Sequence, residues 1–443
     1  MVKPNLVSPN YSKTEGTTMK KIIALLLTAV LVMSVFGIFS GCEALPEPGK
    51  VCFLNCVPEA SEMWQKLAAA YTDIYGVEVT VHTVSSEDCT KAVQTALTGD
   101  HAPTVFQFHT ALDWISLSQY CMDLTDTQLL GQAISEDFVL KEGNTVRAVG
   151  YSYEASGIIV NTKLLTQAGY EVENIQDFAS LKAVAEDIHS RADELGFDAF
   201  ASSGLDASSV WRFADDLANV TLYYEYREQE GAHSGFTGKY LEQYRQIWDL
   251  YIDHSAADKA SLLGMSADMS LEEFGTGKAV FMQHSASVFD ELVEGTYAMD
   301  PSQLTMIPIY CGVEGEQQAA LCYDVEGYWA VNAQASEADR QATLAFLNWV
   351  AASEYGTTLL EEQFGGVPFK AAGNSGNVFY SRANALINEG KYIVTWASYH
   401  MADNEQWRAS LKDALVLYSK KQNEANWEVV KAAFVEGWTT TGR

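Results

Sequence analysis

Val51-Cys52-Phe53-Leu54-Asn55 opens a segment that alternates between two periodicities as far as Phe108. The apolar pentapeptide reads as a short buried strand. Ser61 then stands where a helix cap belongs. Behind it Trp64, Leu67, Ala68, Tyr71, Ile74 and Tyr75 recur at intervals of three and four, and Gly76 ends the helix. Val77, Val79, Val81 and Thr83 alternate with polar residues, the period of a strand. Ser85 or Ser86 starts a second helix through Ala92, Val93, Ala96 and Leu97, stopped by Gly99, and Thr104 to Phe108 forms a third strand. Strand, helix, strand, helix, strand is the opening of a doubly wound α/β fold with a parallel sheet. Such sheets take ligands beyond the carboxyl ends of their strands. Here those ends are Asn55 with Cys56, and Phe108 with His109 and Thr110.

Upstream of this segment the chain carries an export signal. Met19-Lys20-Lys21 is basic, Ile22 to Phe39 is apolar apart from Thr28, Ser34 and Gly37, and Ser40-Gly41-Cys42 follows. The Cys after Ser-Gly resembles a bacterial lipobox, with Phe39 where Leu is usual. Cys42 would be acylated and become the first residue of the mature chain. An uncleaved anchor is the alternative, since the apolar run is at the lower limit for a span. Either reading puts the remainder outside the cytoplasm. Residues 1–18, with Pro4 and Pro9, fit neither role and read as an upstream extension before a start at Met19. Residues 19–41 are then the signal and 42–50, with Pro46, Pro48 and Gly49, a tether.

The rest is largely helical, with stripes over 177–195, 239–252, 336–352, 405–420 and 426–437. The full chain has 443 residues, enough for two or more cores, and its apolar content of 48% argues for a folded body. A formal charge of −30 repels phosphate backbones and excludes a nucleic-acid partner. Seven cysteines leave six if Cys42 is lipidated. No Cys-x-x-Cys pair or His-rich cluster accompanies them, so no metal or other cofactor is expected. Outside the cytoplasm disulfides are permitted. Cys311 and Cys322 flank a Gly-containing turn and can face each other across a hairpin; buried free thiols are the alternative.

Several segments together resemble the sugar-binding proteins of ABC importers, the group that includes maltose-binding protein. The opening strand, helix and second strand are similar to that family's first lobe. Gly150-Tyr151-Ser152-Tyr153-Glu154-Ala155-Ser156-Gly157-Ile158-Ile159-Val160-Asn161-Thr162-Lys163 resembles its first crossover between lobes, with Val160 for Tyr and Thr162 inserted. Leu164 to Gly169 is similar to the helix and turn that follow. Phe274-Gly275-Thr276-Gly277-Lys278-Ala279-Val280-Phe281 is similar to its Phe-x-x-Gly-Lys-Ala-Ala-Met segment, and Gly327-Tyr328-Trp329-Ala330-Val331 to the closing part of the first lobe.

The resemblance implies a two-lobed α/β fold of the periplasmic-binding type. One lobe would hold 50–153 and 305–375, the other 154–304 and 376–443. It implies a monomeric, lipid-anchored protein on the cell surface that closes on a mono- or oligosaccharide and delivers it to ABC-transporter permease subunits. Aromatic rings would stack on the sugar's apolar face while polar groups bind its hydroxyl rim. Carried over by position, the ligand residues are Asn55, Phe108, His109, Thr110, Tyr153, Glu154, Trp211, His284, Tyr328, Trp329 and Trp407, with Trp396 competing with Trp407. Asn55 as a turn cap, and the aromatic residues as core, are the structural alternatives. Arg147 and Arg212 are the few basic residues near these loops.

No Gly-x-Ser-x-Gly elbow, P-loop or His-Glu-x-x-His motif is present, and the chain is not expected to be an enzyme. Adjacent carboxylates such as Glu272-Glu273 do not face each other on a helix and do not make a glycosidase pair. Two further readings stay open: the same fold holding a polyamine, peptide or metal chelate, and a surface module for glycan adhesion or sensing.

Overall fold

The computed structural model describes residues 49–99, 101–109, 111–228, 236–373, 376–397 and 404–436. The upstream extension, the export signal, Cys42 and Thr110 lie outside them.

β1 (Val51–Asn55), α1 (Ser61–Tyr75), β2 (Val79–Thr83), α2 (Cys89–Leu97) and β3 (Val105–Phe108) follow in the expected order, and β1 pairs in parallel with β2 and β3. The period of α1 turns Trp64, Leu67 and Tyr71 inward and leaves Ile74 and Tyr75 exposed. The helix stops at Gly76, whose φ of 71° is left-handed and whose N–H donates to the Thr72 carbonyl.

Past β3 the sheet is no longer parallel. The remaining strands are β4 (Val139–Glu142), β5 (Thr145–Asn161), β6 (Asp198–Phe200), β7 (Ala279–Ser285), β8 (Leu304–Ile307), β9 (Ala319–Val331) and β10 (Tyr392–Thr395). The order is β2-β1-β3-β9-β5-β7-β6, with β10 beside β9 and β4 and β8 beside β5. β5 and β9, of 17 and 13 residues, are much longer than the others and run antiparallel to each other. The far end of β9 pairs with β3, whereas its start pairs with β10. Likewise the start of β5 pairs with β4 and its end with β7 and β8. Each long strand therefore belongs to two half-sheets, and the pair crosses between the halves through Ser152–Glu154 and Asp324–Gly327.

Register shifts at Gly150/Ser152 and Ser152/Tyr153 kink the crossing. Gly327 lies there because a Cβ would come within 2.3 Å of the Tyr151 hydroxyl.

The helices that cover the halves are α3 (Phe178–Ser190), α4 (Ala218–Glu228), α5 (Leu241–Asp253), α6 (Glu337–Ala352), α7 (Glu354–Phe364), α8 (Val378–Asn388), α9 (Asn404–Lys420) and α10 (Glu424–Glu436). Capping residues set their starts: Asp177 accepts from the Ser180 N–H, and Ser336 from the Asp339 N–H.

In the first half Trp64 meets Phe53 edge-on at 4.6 Å, and Trp329 stacks on Tyr151 at 5.1 Å and on Phe369 at 5.6 Å. In the second, Phe213, Tyr244, Trp248, Tyr251, Trp427 and Phe434 are all buried. The fold is thus a two-lobed α/β body with a large mixed sheet flanked by helices. β8 and the start of β9 pair within the second half, so the chain returns to the first half along β9 rather than at residue 305.

Of the two readings of Cys311 and Cys322, the buried free thiols hold and the hairpin disulfide does not. Cys56 and Cys89 form the disulfide, joining the end of β1 to the start of α2 with Cα atoms 5.4 Å apart. Cys311 and Cys322 are free and buried. The expected hairpin does not exist. Cys322 lies inside β9, between Ser156 of β5 and Val394 of β10. Cys311 lies in a turn held by Glu316, whose Oε2 accepts from the N–H groups of Cys311 and Gly312 at 2.6 and 2.8 Å. Burial pushes both thiols up.

Candidate functional site

The crossing strands form the floor of the site. Along β9 the side chains alternate: Tyr323 and Trp329 are buried in the cores, and Asp324, Glu326 and Tyr328 take the other parity. Asp324 pairs across the ladder with Glu154 of β5. One face of the crossing therefore carries three carboxylates.

Glu154 is the best-held of them. Its Oε1 accepts from the N–H of Ala155 and of Ala286 at 3.0 Å each and from the Tyr380 hydroxyl at 3.1 Å. Burial nevertheless raises its affinity for a proton, against these bonds. Removal from water, then the charges of Glu154 and Asp324, push Glu326 up to about 7. A cavity of about 510 Å³ opens here, lined by Glu154, Ser287, Glu326, Glu361, Asn377 and Tyr380. A larger one of about 860 Å³ lies at the opposite, amino-terminal ends of β1 and β3, near Lys50 and Thr104. Sheets of this kind do not take ligands at that end.

The first-half wall is made by the carboxyl ends of β1 and β3. His109 lies at the floor, its Nδ1–H donating to the Glu326 carbonyl at 2.6 Å. Its backbone N–H donates to Asp113 at 3.2 Å. Tyr328 is half-buried and stacks on Phe108 at 5.6 Å.

The second-half wall begins with a π-helical turn, Arg212–Leu217. Such turns are rare and cluster at functional sites. Just before it Trp211 is 38% exposed, its indole N–H donating to the Ser208 carbonyl at 2.9 Å. Its ring meets His284 edge-on at 5.7 Å. Burial and then the Arg212 charge hold His284 down at about 3, so the imidazole is neutral near pH 7.

Arg212 is 2% exposed, with one long bond from Nη1 to the Gln283 carbonyl at 3.4 Å. Its Nε and Nη2, and Oε1 of Gln283, have no partner among the described residues. The Gln283 amide donates to Asp216 at 2.6 Å. Burial, and then Asp215, push Asp216 well up. Burial also pushes Asp215 up to about 6, against Arg408 at 2.8 Å. Half-buried Trp396 hydrogen-bonds the same Asp215.

Several residues picked from the sequence belong elsewhere. Asn55 is buried, with its amide donating to the Val57 carbonyl and Thr83 hydroxyl at 2.8 and 3.1 Å and accepting from Val57 N–H at 3.1 Å; it caps a turn. Phe108 is fully buried under Tyr328. Tyr153 is also fully buried among Phe138, Tyr323 and Tyr380. Trp329 is the centre of the first core. Trp407 is 1% exposed, its indole donating to the Phe434 carbonyl at 2.9 Å between α9 and α10. Of the two competing tryptophans, Trp396 is the one beside the site. Arg147 pairs with Glu142 at 2.9 Å.

His109, Glu154, Trp211, His284 and Tyr328 remain around the crossing strands. Asp215, Asp216, Gln283, Asp324 and Glu326 were missed; strand parity from Tyr328 back to Asp324 was the available signal for the last two.

A profile of bacterial extracellular solute-binding proteins matches residues 66–387. The chain belongs to that family. Solved structures agree on the fold of this solute-binding protein. A family 1 extracellular solute-binding protein from Bifidobacterium longum subsp. infantis is 15% identical, covers 88% of this chain and 98% of its own, and has a TM-score of 0.67. The apo form of RafE from Streptococcus pneumoniae is 13% identical over 90% and 99%, with a TM-score of 0.68. The solute receptor AcbH, described as having an exclusive preference for β-D-galactopyranose, is 12% identical over 88% and 98%, with a TM-score of 0.68. No curated protein matches the chain in sequence. Membership of the extracellular solute-binding family makes it an extracytoplasmic binder and not an enzyme. Among the described residues no helix is long and apolar enough to cross a membrane.

Proposed function

We propose that the protein captures a sugar, mono- or oligosaccharide, between its two halves and hands it to the permease subunits of an ABC importer while tethered through acylated Cys42. The lobes are the two half-sheets with their covering helices, hinged on β5 and β9, with the return to the first lobe along β9. The observation that carries this reading is Trp211. It is a large ring left 38% exposed, edge-on to His284 of β7 and next in the chain to Arg212, and both Arg212 and Gln283 are buried groups that still have hydrogen-bonding capacity. An indole face covers the apolar face of a pyranose, while Arg212 donates to and Gln283 accepts from its hydroxyls. The mechanism is a shift between open and closed halves, with no covalent step. The sugar named for AcbH, and raffinose bound to RafE, support the class of ligand.

A second reading, a polyamine, is favoured by Glu154, Asp324 and Glu326 on one face of the crossing. One calorimetric and thermal-shift screen separates the two. Saturable stabilisation by one sugar class, lost in Trp211→Ala, supports the first. Stabilisation by polyamines alone, at low salt and unaffected by Trp211→Ala, rejects it.

A further inference from the structure

We propose that Cys56, Cys89 and His109 form a redox-gated site for a thiophilic divalent ion of the zinc class, filled when the Cys56–Cys89 disulfide is reduced. Three elements supply the ligands: the end of β1, the start of α2 and the end of β3. One ligand atom from each lies within 4.8 Å of the other two.

The state of the imidazole is the deciding feature. A carbonyl only accepts, so the 2.6 Å contact to Glu326 makes Nδ1 the protonated nitrogen. In the neutral ring Nε2 then carries a lone pair. It is buried and has no partner among the described residues. A histidine that gives one N–H to a backbone carbonyl and keeps the other nitrogen bare is oriented as metal-ligating histidines are. The surroundings hold that orientation. Asp113 accepts from the His109 backbone N–H at 3.2 Å and from the hydroxyl of Thr90, one residue beyond Cys89. Gln107 of β3 accepts from the Cys56 N–H at 2.7 Å.

The chemistry closes on itself. A dithiol reductant breaks the S–S bond, places two electrons on the sulfurs and becomes a disulfide, passing its two protons to Cys56 and Cys89. Both protons leave again as the ion binds two thiolates. Zinc bonds of about 2.3 Å to sulfur and about 2.0 Å to nitrogen suit ligands this close, and two sulfurs with one nitrogen leave a fourth tetrahedral position for water. The spacing hides this set, because Cys56 and Cys89 are 33 residues apart. The inference is independent of the sugar reading.

The test uses the full chain in detergent, reduced with a phosphine, freed of reductant without air, and titrated with cobalt(II). Thiolate-to-cobalt charge-transfer bands and strong tetrahedral d–d bands are expected in the reduced chain, none in the oxidised chain, and none in Cys56→Ser/Cys89→Ser. His109→Gln should weaken cobalt affinity at least tenfold. In the reduced unmodified chain, zinc should slow alkylation of Cys56 and Cys89 more than tenfold and leave Cys52 unaffected, by peptide mass mapping. Cobalt bands that persist in the double variant, or unchanged alkylation of Cys56 and Cys89 with zinc present, would overturn the site.

Discussion

On the first-half wall Asn55 places both ends of its amide on neighbouring backbone and hydroxyl groups, and Cys56 is tied to Cys89. On the second-half wall Arg212 and Gln283 are buried yet leave donors and an acceptor unmatched, beneath a half-open indole. An unmatched buried polar group costs roughly 1–3 kcal/mol, so a wall that carries several gains when something arrives to match them. The contrast teaches an order of events. In the proposed function the second half takes the ligand, and the first half, whose groups around Asn55 and Cys56 are already matched, closes over it on β5 and β9.

The comparison can be broken most forcefully at Trp329. Trp329→Ala should lose about 3–5 kcal/mol of stability, because the ring is fully buried between Tyr151 and Phe369. Chemical denaturation reads this, and a loss under about 1 kcal/mol would mean that Trp329 is not core. Next comes Asn55→Ala, which should cost about 1–2 kcal/mol by opening the turn after β1 while leaving ligand affinity within twofold. A large affinity loss there would return Asn55 to the site.

Trp211→Ala sharpens the contrast from the other side. Stability should stay within about 0.5 kcal/mol while sugar affinity drops about tenfold by calorimetry. The smallest effect is electrostatic. Glu326 and Asp215 hold protons more tightly in the folded chain than an ordinary carboxylate does. The folded state therefore binds more protons than the unfolded one between their ordinary values and about 6 to 7. Stability is full below that window and falls as pH rises through it. Glu326 is only partly removed from water and keeps an exposed surface, so its share is under about 1 kcal/mol. Glu326→Gln should flatten the decline in Tm between pH 5 and pH 8; an unchanged slope would remove Glu326 from the account.

Much of the fold was legible because it is written in short-range periodicity. The apolar spacing of α1, the alternation of β2 and the punctuation at Gly76 need only the neighbours in sequence. The long crossover strand from Gly150 was also recognisable. The candidate site was less so. Phe108, Trp329 and Trp407 carry the same chemistry as Trp211, and whether a ring stacks on a sugar or on another ring depends on what lies opposite, which spacing does not encode. Cysteine pairing failed for the same reason. Cys311 and Cys322 are close in sequence, but one is held in a turn by Glu316 and the other is inside a strand with neighbours on both edges.

From its residues alone this chain was legible as an acidic α/β protein with an aromatic-rich body and an apolar stretch near its start, since charge, apolar runs and helix or strand periods are local properties. Tertiary structure alone decided which indole reaches solvent, which carboxylates share the face of β5 and β9, and which cysteines meet. Those facts depend on contacts between residues far apart in the chain, and a side chain's role follows from the partners left to it once the backbone has folded.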